Sequence, residues 1–267
     1  MKVKEILGAL EEFAPLALQD GYDNAGLQIG LAEDAEAAGA LLCLDVTEEV
    51  VDEAVRKGCN LIVSHHPLLF RALKRVAADD YVGRTVMKAI RSGVAVYAAH
   101  TNLDSAMGGV NWKIAEKLGL RGLEWLSAKG EYRRGGEMLT AGEGLVGVLP
   151  RAMERKEFFE YVKEVFGIKS LRVNAAEKEA IERVALCGGA GAFLIQKAVA
   201  KGADVFLTGE IGYHRFFGLE GDIVLVEMGH FESERYTVEV LRDILRGADP
   251  SLPVYDTELK VNPINYL

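Results

Sequence analysis

The chain has 267 residues, of which 49% are hydrophobic and 27% charged, and its formal net charge at pH 7 is −9. This length and composition are typical of a globular protein with a substantial core, built as one large domain or two lobes. The composition also argues against disorder. The negative charge argues against general nucleic-acid binding, which needs a basic face to neutralise phosphates, but it is compatible with a nucleotide substrate held by metal.

The cysteines and the N-terminus indicate the compartment. Cys43, Cys59 and Cys187 form no C-x-x-C pair, and an odd number of cysteines suits a reducing environment. The first residues lack the apolar core of a signal peptide, and no apolar run reaches membrane-spanning length. We therefore predict a cytoplasmic protein without a membrane segment.

The first half alternates between helical and strand periodicity. Helices are predicted over 2–13, 47–57, 81–91 and 111–118, and strands over 27–29, 40–45, 60–63 and 94–98. Thr47 is the expected N-cap of the second helix, and Gly58 ends it. The segment 40–64 reads as a βαβ unit, whose right-handed crossover implies a parallel sheet. In such sheets the chemistry gathers at the carboxyl ends of the strands.

Two segments stand out by composition and not by periodicity. Asp23 and Asn24 lie in a turn-rich loop, where they either cap local backbone groups or belong to a site. Residues 127–144 are rich in glycine and charge with weak periodicity, and we predict a connection between lobes 1–125 and 126–267. After it we expect a strand over 145–149 and an amphipathic helix over 154–166.

The second half repeats the pattern of the first. Cys43–Ser64 aligns with Cys187–Thr208 without a gap, although any two βαβ units share some features. A second correspondence favours a structural repeat: a strand is followed by His100 and Asp104 in one half, and by His230 and Glu234 in the other. A spacing of four puts both side chains on one helix face.

All five histidines lie at or just past the end of a predicted strand: His65, His66, His100, His214 and His230. A lone His100 or His214 is more often a structural histidine, but the group as a whole favours a metal centre. Histidine and carboxylate ligands without paired cysteines suit Zn²⁺, Mn²⁺, Fe²⁺ or Co²⁺, and they also suit a two-metal centre. The glycine-rich turn 188–191 is either a phosphate-cradling loop or a tight strand-to-helix turn.

Five motifs in this order resemble the NIF3-like family, also labelled GTP cyclohydrolase 1 type 2. They are Asp23 to Gly30, Ser64 to Pro67, Ala99 to Asp104, Thr208 to Glu210 with Tyr213 and His214, and Gly229 to Glu234. The resemblance implies an α/β fold of two similar lobes with a metal site in the cleft between them, and a toroidal homohexamer. Some members carry an inserted domain, for which this chain is too short.

The resemblance also implies site residues. Two divalent ions per chain, drawn from Zn, Fe, Mn or Co, would be held by His65, His66, Asp104, His230 and Glu234. His100 and His214 would then be close neighbours that support the ligands or transfer protons.

Two functions follow as expectations. The first is a metal-dependent hydrolase that uses a metal-bridging hydroxide on GTP, another nucleotide or another phosphate-bearing small molecule. The alternative is a non-catalytic metal-binding chaperone or a ring-shaped interaction scaffold. A site with open coordination positions favours the enzyme, and a site closed by protein ligands favours the alternative.

Overall fold

The computed structural model describes residues 1–30, 32 and 34–266. Its α-helices are α1 Val3–Phe13, α2 Glu48–Arg56, α3 Tyr81–Arg91, α4 Thr101–Ser105, α5 Val110–Lys117, α6 Arg155–Phe166, α7 Ile195–Ala200, α8 His230–Glu234 and α9 Thr237–Ala248. Its strands are β1 Gly26–Ile29, β2 Ala40–Cys43, β3 Leu61–Ser64, β4 Ala95–Ala98, β5 Arg121–Arg134, β6 Glu137–Glu154, β7 Arg172–Val173, β8 Ala180–Cys187, β9 Val205–Thr208, β10 Val224–Glu227 and β11 Val254–Asp256.

The described chain divides into two compact units. Unit 1 comprises Met1–Ala106, Tyr132–Met138 and Thr237–Ile264. Unit 2 comprises Met107–Glu131, Leu139–Tyr236 and the residues from Asn265 onward. The division into lobes 1–125 and 126–267 stays a prediction.

Unit 1 is built on a five-stranded sheet with the order β1-β4-β3-β2-β11. Strands β2, β3 and β4 are parallel neighbours and are buried along their whole length, as expected for strands covered on both faces. Helices α2 and α3 bury apolar side chains such as Val50 and Val86 in the same core cluster as Leu41 and Ile62. This packing holds the three central strands in one register.

That register decides where the polar residues after the strands are placed. Cys43 pairs with Ser64, and Ser64 pairs with Ala98, so these three residues are level across the sheet. Strand β1 runs antiparallel to β4 and begins at the same edge, because Gly26 pairs with Ala98. The residues that follow β2, β3 and β4, and the loop that precedes β1, therefore share one edge of the sheet.

Unit 2 repeats this topology and confirms the predicted duplication. Strands β8, β9 and β10 are parallel neighbours, with Cys187 paired to Thr208 and Thr208 paired to Glu227. Each set has an antiparallel strand beside its last member, β1 next to β4 and β7 next to β10. The next neighbour differs, because β11 runs parallel to β2 whereas β6 runs antiparallel to β8.

The predicted connection over 127–144 is wrong. The segment belongs to β5 and β6, which are hydrogen-bonded neighbours joined at Gly135 and Gly136. Both glycines have positive φ, +57° and +85°, as a two-residue hairpin turn of the I′ type requires. Most of β5 is exposed or only half-buried, so few of its positions need apolar side chains and the strand periodicity is weak.

The other predicted elements are confirmed. The helices predicted over 2–13, 47–57, 81–91, 111–118 and 154–166 correspond to α1, α2, α3, α5 and α6. Thr47 caps α2 by accepting a hydrogen bond from the Val50 amide, and Gly58 ends the turn at φ +72°. In the part of the chain that the structure describes, no helix has the length and apolarity needed to cross a membrane.

A buried carboxylate ties the C-terminal segment of unit 1 to α2. Glu53 is buried, and it accepts hydrogen bonds from the Glu258 amide at 2.9 Å and from the Thr257 hydroxyl. Glu53→Ala should lower the free energy of unfolding by about 2–4 kcal/mol, because both donors lose their acceptor. Denaturant unfolding measures the change. The matched control Arg56→Ala, at an exposed position of the same helix, should shift it by about 0.5 kcal/mol or less; equal shifts in both variants would contradict this role.

Candidate metal centre

The strand-end edge of unit 1 carries a group of histidines and aspartates. His65 and His66 follow β3 directly, His100 lies two residues after β4, and Asp45 lies two residues after β2. The backbone ladder continues past the strands, because the His65 amide donates to the Cys43 carbonyl at 3.1 Å. These side chains are therefore placed by the sheet itself.

His65 is fully buried, and its tautomer follows from its partner. Its Nδ1 lies 2.8 Å from the backbone oxygen of Ala99, which can only accept, so Nδ1 carries the hydrogen. In the neutral ring this leaves the lone pair on Nε2, the atom that a metal ion would bind. Asp104 Oδ1 lies 3.8 Å from this Nε2, which is beyond hydrogen-bonding distance.

His66 and His100 are oriented in the same way by carboxylates. Nδ1 of His66 lies 2.9 Å from Asp45 Oδ1, and Nδ1 of His100 lies 2.8 Å from Asp23 Oδ1. A carboxylate behind an imidazole fixes the ring and makes the opposite nitrogen more basic. All three rings thus keep Nε2 for a metal ion or a proton.

Asp23 is held in its charged form. Burial favours the neutral acid, but hydrogen bonds from His100, from the Thr101 hydroxyl and from the Asn24 amide outweigh it and lower the pKa of Asp23 to about 2. Asp23 therefore joins the loop before β1 to the start of α4. Both interpretations hold for this side chain: Asp23 Oδ1 accepts a hydrogen bond from the Asn24 amide at 2.7 Å, and it also bonds to a histidine 77 residues away.

The three histidines of unit 1 can serve one ion. One ring nitrogen of each of His65, His66 and His100 lies within 4.8 Å of the others. Two ligands of a tetrahedral Zn²⁺ site with bonds of 2.0–2.1 Å are roughly 3.3 Å apart, so only small side-chain shifts are needed. Asp104 adds a carboxylate beside His65. The donor set of imidazoles and carboxylates fits a divalent ion of the zinc, iron or manganese type.

Unit 2 carries a second histidine–carboxylate pair at its own strand ends. Nε2 of His230 lies 3.1 Å from Glu234 Oε2, one helical turn further along α8. Nδ1 of His230 lies 2.8 Å from Glu210 Oε1, which follows β9. The side chain of Glu234 is almost fully buried, whereas that of His230 is partly exposed to solvent.

The glycine-rich turn 188–191 packs around this pair and does not cradle a phosphate. The amides of Gly188, Gly189 and Gly191 donate to the side chains of Asn111, Ser233 and Thr208, at 3.0 Å in each case. Gly189 has φ +57°, and a side chain there would collide with Glu234. The tight-turn interpretation is therefore correct, and the glycines allow close approach to the carboxylate.

The remaining histidine, His214, belongs to unit 2. His214 is exposed on the 3₁₀ helix Tyr213–Phe216, where its ring contacts that of Tyr213. A role for His214 in proton transfer stays a prediction.

Sequence reasoning missed the oxygen acceptors behind the rings. Asp45 and Glu210 follow β2 and β9, so they carry the same signal, a polar residue after a buried strand, that identified the histidines. The pairing of Asp23 with His100 spans 77 residues, and no local pattern indicates it.

The tautomers are directly testable. In the metal-free protein near pH 7.5, His65 should be the Nδ1-protonated tautomer, because its partner is a carbonyl oxygen. Long-range ¹H–¹⁵N NMR of the imidazole nitrogens measures this, with His214 as the exposed control. Protonation of His65 on Nε2 alone would contradict the geometry.

Comparison with known proteins agrees with this architecture. The family model Duf34/NIF3 (NGG1p interacting factor 3) matches residues 1–263. A GTP cyclohydrolase 1 type 2 homolog of Clostridium acetobutylicum is 35% identical over 249 residues, covering 93% of this chain and 91% of the relative. A protein of the same name from Lactococcus lactis is 34% identical over 269 residues, covering 98% of both chains.

A solved structure has the same fold. The crystal structure of a Bacillus cereus protein related to NIF3 superimposes with a TM-score of 0.87 at 27% identity, covering 99% of this chain and 98% of the other. The match to the family model extends over nearly the whole chain and includes every motif discussed above. The chain therefore belongs to the Duf34/NIF3 family.

Proposed function

We propose that this protein is a metal-dependent hydrolase that acts on a nucleotide or another phosphate-bearing small molecule. The observation that carries the proposal is the cluster of His65, His66 and His100, in which each Nδ1 contacts an oxygen and each Nε2 is left to bind a metal ion or to transfer a proton. Three rings oriented alike at one sheet edge suit a metal site better than three structural histidines.

The proposed ligands are His65, His66 and Asp104 in unit 1, and His230 and Glu234 in unit 2. That all five act in one dinuclear centre stays a prediction, as do the hexameric ring and the cytoplasmic location. A bound divalent ion supplies Lewis acidity and lowers the pKa of water. The carboxylates contribute negative charge, which favours cation binding in a site that is otherwise made of neutral imidazoles.

The protein's own groups orient the site and move protons. Asp23 holds the hydrogen on Nδ1 of His100, so Nε2 can take a proton from water and return it to a leaving group. The side chain of His100 is 17% exposed, so a substrate can reach it. Asp45 and Glu210 orient His66 and His230 in the same manner.

The names of the relatives select the first substrate to test. Proteins called GTP cyclohydrolase 1 type 2 homolog cover most of this chain at about one-third identity. GTP is therefore the first candidate, followed by other nucleotides and sugar phosphates. The fold alone does not identify the reaction, because one fold hosts many activities.

Metal content tests the ligands. Elemental analysis of protein purified without added ions should give about two ions per chain. His66→Ala and Glu234→Ala should each lower the content, because each removes a ligand. His214→Ala should retain it. Full retention in the first two variants, with an intact fold by circular dichroism, would contradict the ligand assignment.

Turnover tests catalysis. His100→Ala should reduce kcat by about 10²–10⁴-fold and alter the pH profile while keeping the metal content, because it removes a proton-transfer group. Steady-state assays of metal-loaded protein with the nucleotide panel measure this, and Glu182→Ala, at an exposed carboxylate of unit 2, is the matched control. Metal binding without turnover on any substrate would support the non-catalytic alternative.

A further inference from the structure

Two exposed aromatic rings extend from the histidine cluster of unit 1 toward solvent. The ring of Phe70 lies 6.1 Å from that of His100, and the ring of Tyr22 lies 6.3 Å from that of Phe70, both edge-on. Exposure rises along this row, from the buried His65 to 44% at Phe70 and 67% at Tyr22. Large exposed aromatic side chains beside a candidate reactive site often mark a contact surface for a ligand.

The row is held by the same loop that orients His100. The side-chain amide of Asn24 donates to the Leu69 carbonyl at 2.7 Å, and Gln28 Oε1 accepts from the Leu69 amide at 3.0 Å. Asp23 in the same loop bonds to His100. The backbone next to Phe70 and the imidazole of His100 are therefore positioned together, which reduces the ordering cost when a ligand binds.

Tyr22 is also restrained, although it is the most exposed member. Its hydroxyl donates to Asp20 Oδ2 at 3.0 Å, and the Asp20 amide donates to the Thr101 hydroxyl at 2.9 Å. Thr101 begins α4, directly after His100. Tyr22 is thus linked by hydrogen bonds to the same strand-end edge, which limits its freedom at the surface.

The segment that follows Phe70 is basic in an otherwise acidic protein. Arg71, Lys74 and Arg75 fall within five residues of Phe70, while the whole chain has a formal charge of −9. Arg75 pairs with Asp79, whereas Arg71 and Lys74 are exposed and form no ion pair with any residue that the structure describes. An unpaired basic pair on the loop after the histidines would attract an anionic substrate.

We propose that Tyr22 and Phe70 bind the planar heteroaromatic ring of a nucleotide substrate, and that Arg71 and Lys74 attract its phosphates. The inference deepens the proposed function and rests on it, since the substrate must reach the same metal site. Stacking on an aromatic side chain tolerates different bases, because every base has a π-face. These residues therefore select for a ring with a phosphate group and discriminate weakly between bases.

Equilibrium binding measurements separate the contribution of the aromatic side chains from that of the basic side chains. The affinities of metal-loaded protein for GTP, guanosine and ribose 5-phosphate are measured by isothermal titration calorimetry. Phe70→Leu and Tyr22→Leu should each lower the affinity for GTP and for guanosine by about 5–100-fold. Ribose 5-phosphate, which lacks the ring, should bind these variants as it binds the wild type. The matched control Tyr81→Leu replaces an exposed tyrosine on α3 and should change none of the three affinities.

The basic residues are tested with the same ligands. Arg71→Gln and Lys74→Gln should lower the affinity for GTP and ribose 5-phosphate and leave the affinity for guanosine unchanged. They should also reduce the salt dependence of GTP binding. Arg91→Gln, at an exposed position of α3, is the matched control. Circular dichroism and metal content, unchanged in every variant, confirm that the fold and the metal site are intact.

The failures of the two proposals are distinguishable. Wild-type affinity for GTP in Phe70→Leu and Tyr22→Leu overturns the aromatic site even if the enzyme hydrolyses GTP. The absence of saturable binding of GTP and guanosine up to millimolar concentration overturns it as well. Binding that depends on Phe70 without any turnover instead contradicts the hydrolase and leaves the aromatic site supported.

Discussion

The register of the parallel strands in unit 1 is the constraint on which the histidine cluster depends. Because Cys43, Ser64 and Ala98 are level across the sheet, the residues after them reach the same edge from three distant parts of the chain. A slip of one residue in β3 would exchange the directions of His65 and His66. The fully buried strands prevent such a slip, since it would also turn apolar side chains out of their packed positions.

Oxygen acceptors behind the imidazoles give this edge its chemical character. A histidine with Nδ1 tied to a carbonyl or carboxylate presents a single nitrogen in one direction, which an untethered surface histidine does not do. The same arrangement occurs at His230 in unit 2, where Glu210 contacts Nδ1 as Asp45 and Asp23 do in unit 1. The repetition indicates that orientation of the rings is a property of the architecture and not of one loop.

The internal duplication is preserved in the two sheets but not in the residues of the candidate site. The strand orders β1-β4-β3-β2 and β7-β10-β9-β8 are equivalent, and Ser64 and Thr208 occupy equivalent positions. After these residues the halves diverge, because unit 1 continues with two histidines and unit 2 continues with Gly209 and Glu210. The loop 188–191 reflects this divergence, since its glycines allow close packing around Glu234.

The sequence by itself determined the buried strands, most helices, the internal repeat and the residues at the strand ends, because these depend on local periodicity, caps and spacing. The motif from Asp23 to Gln28 was visible as well, but its role was not. Only the tertiary structure decided that Asp23 bonds to His100, that Asn24 and Gln28 hold Leu69, and that β5 and β6 pair where a connection was expected. The physical reason is that a hydrogen bond between residues 77 positions apart leaves no pattern in the neighbouring sequence. It forms only when the packed sheet brings the two loops to one edge.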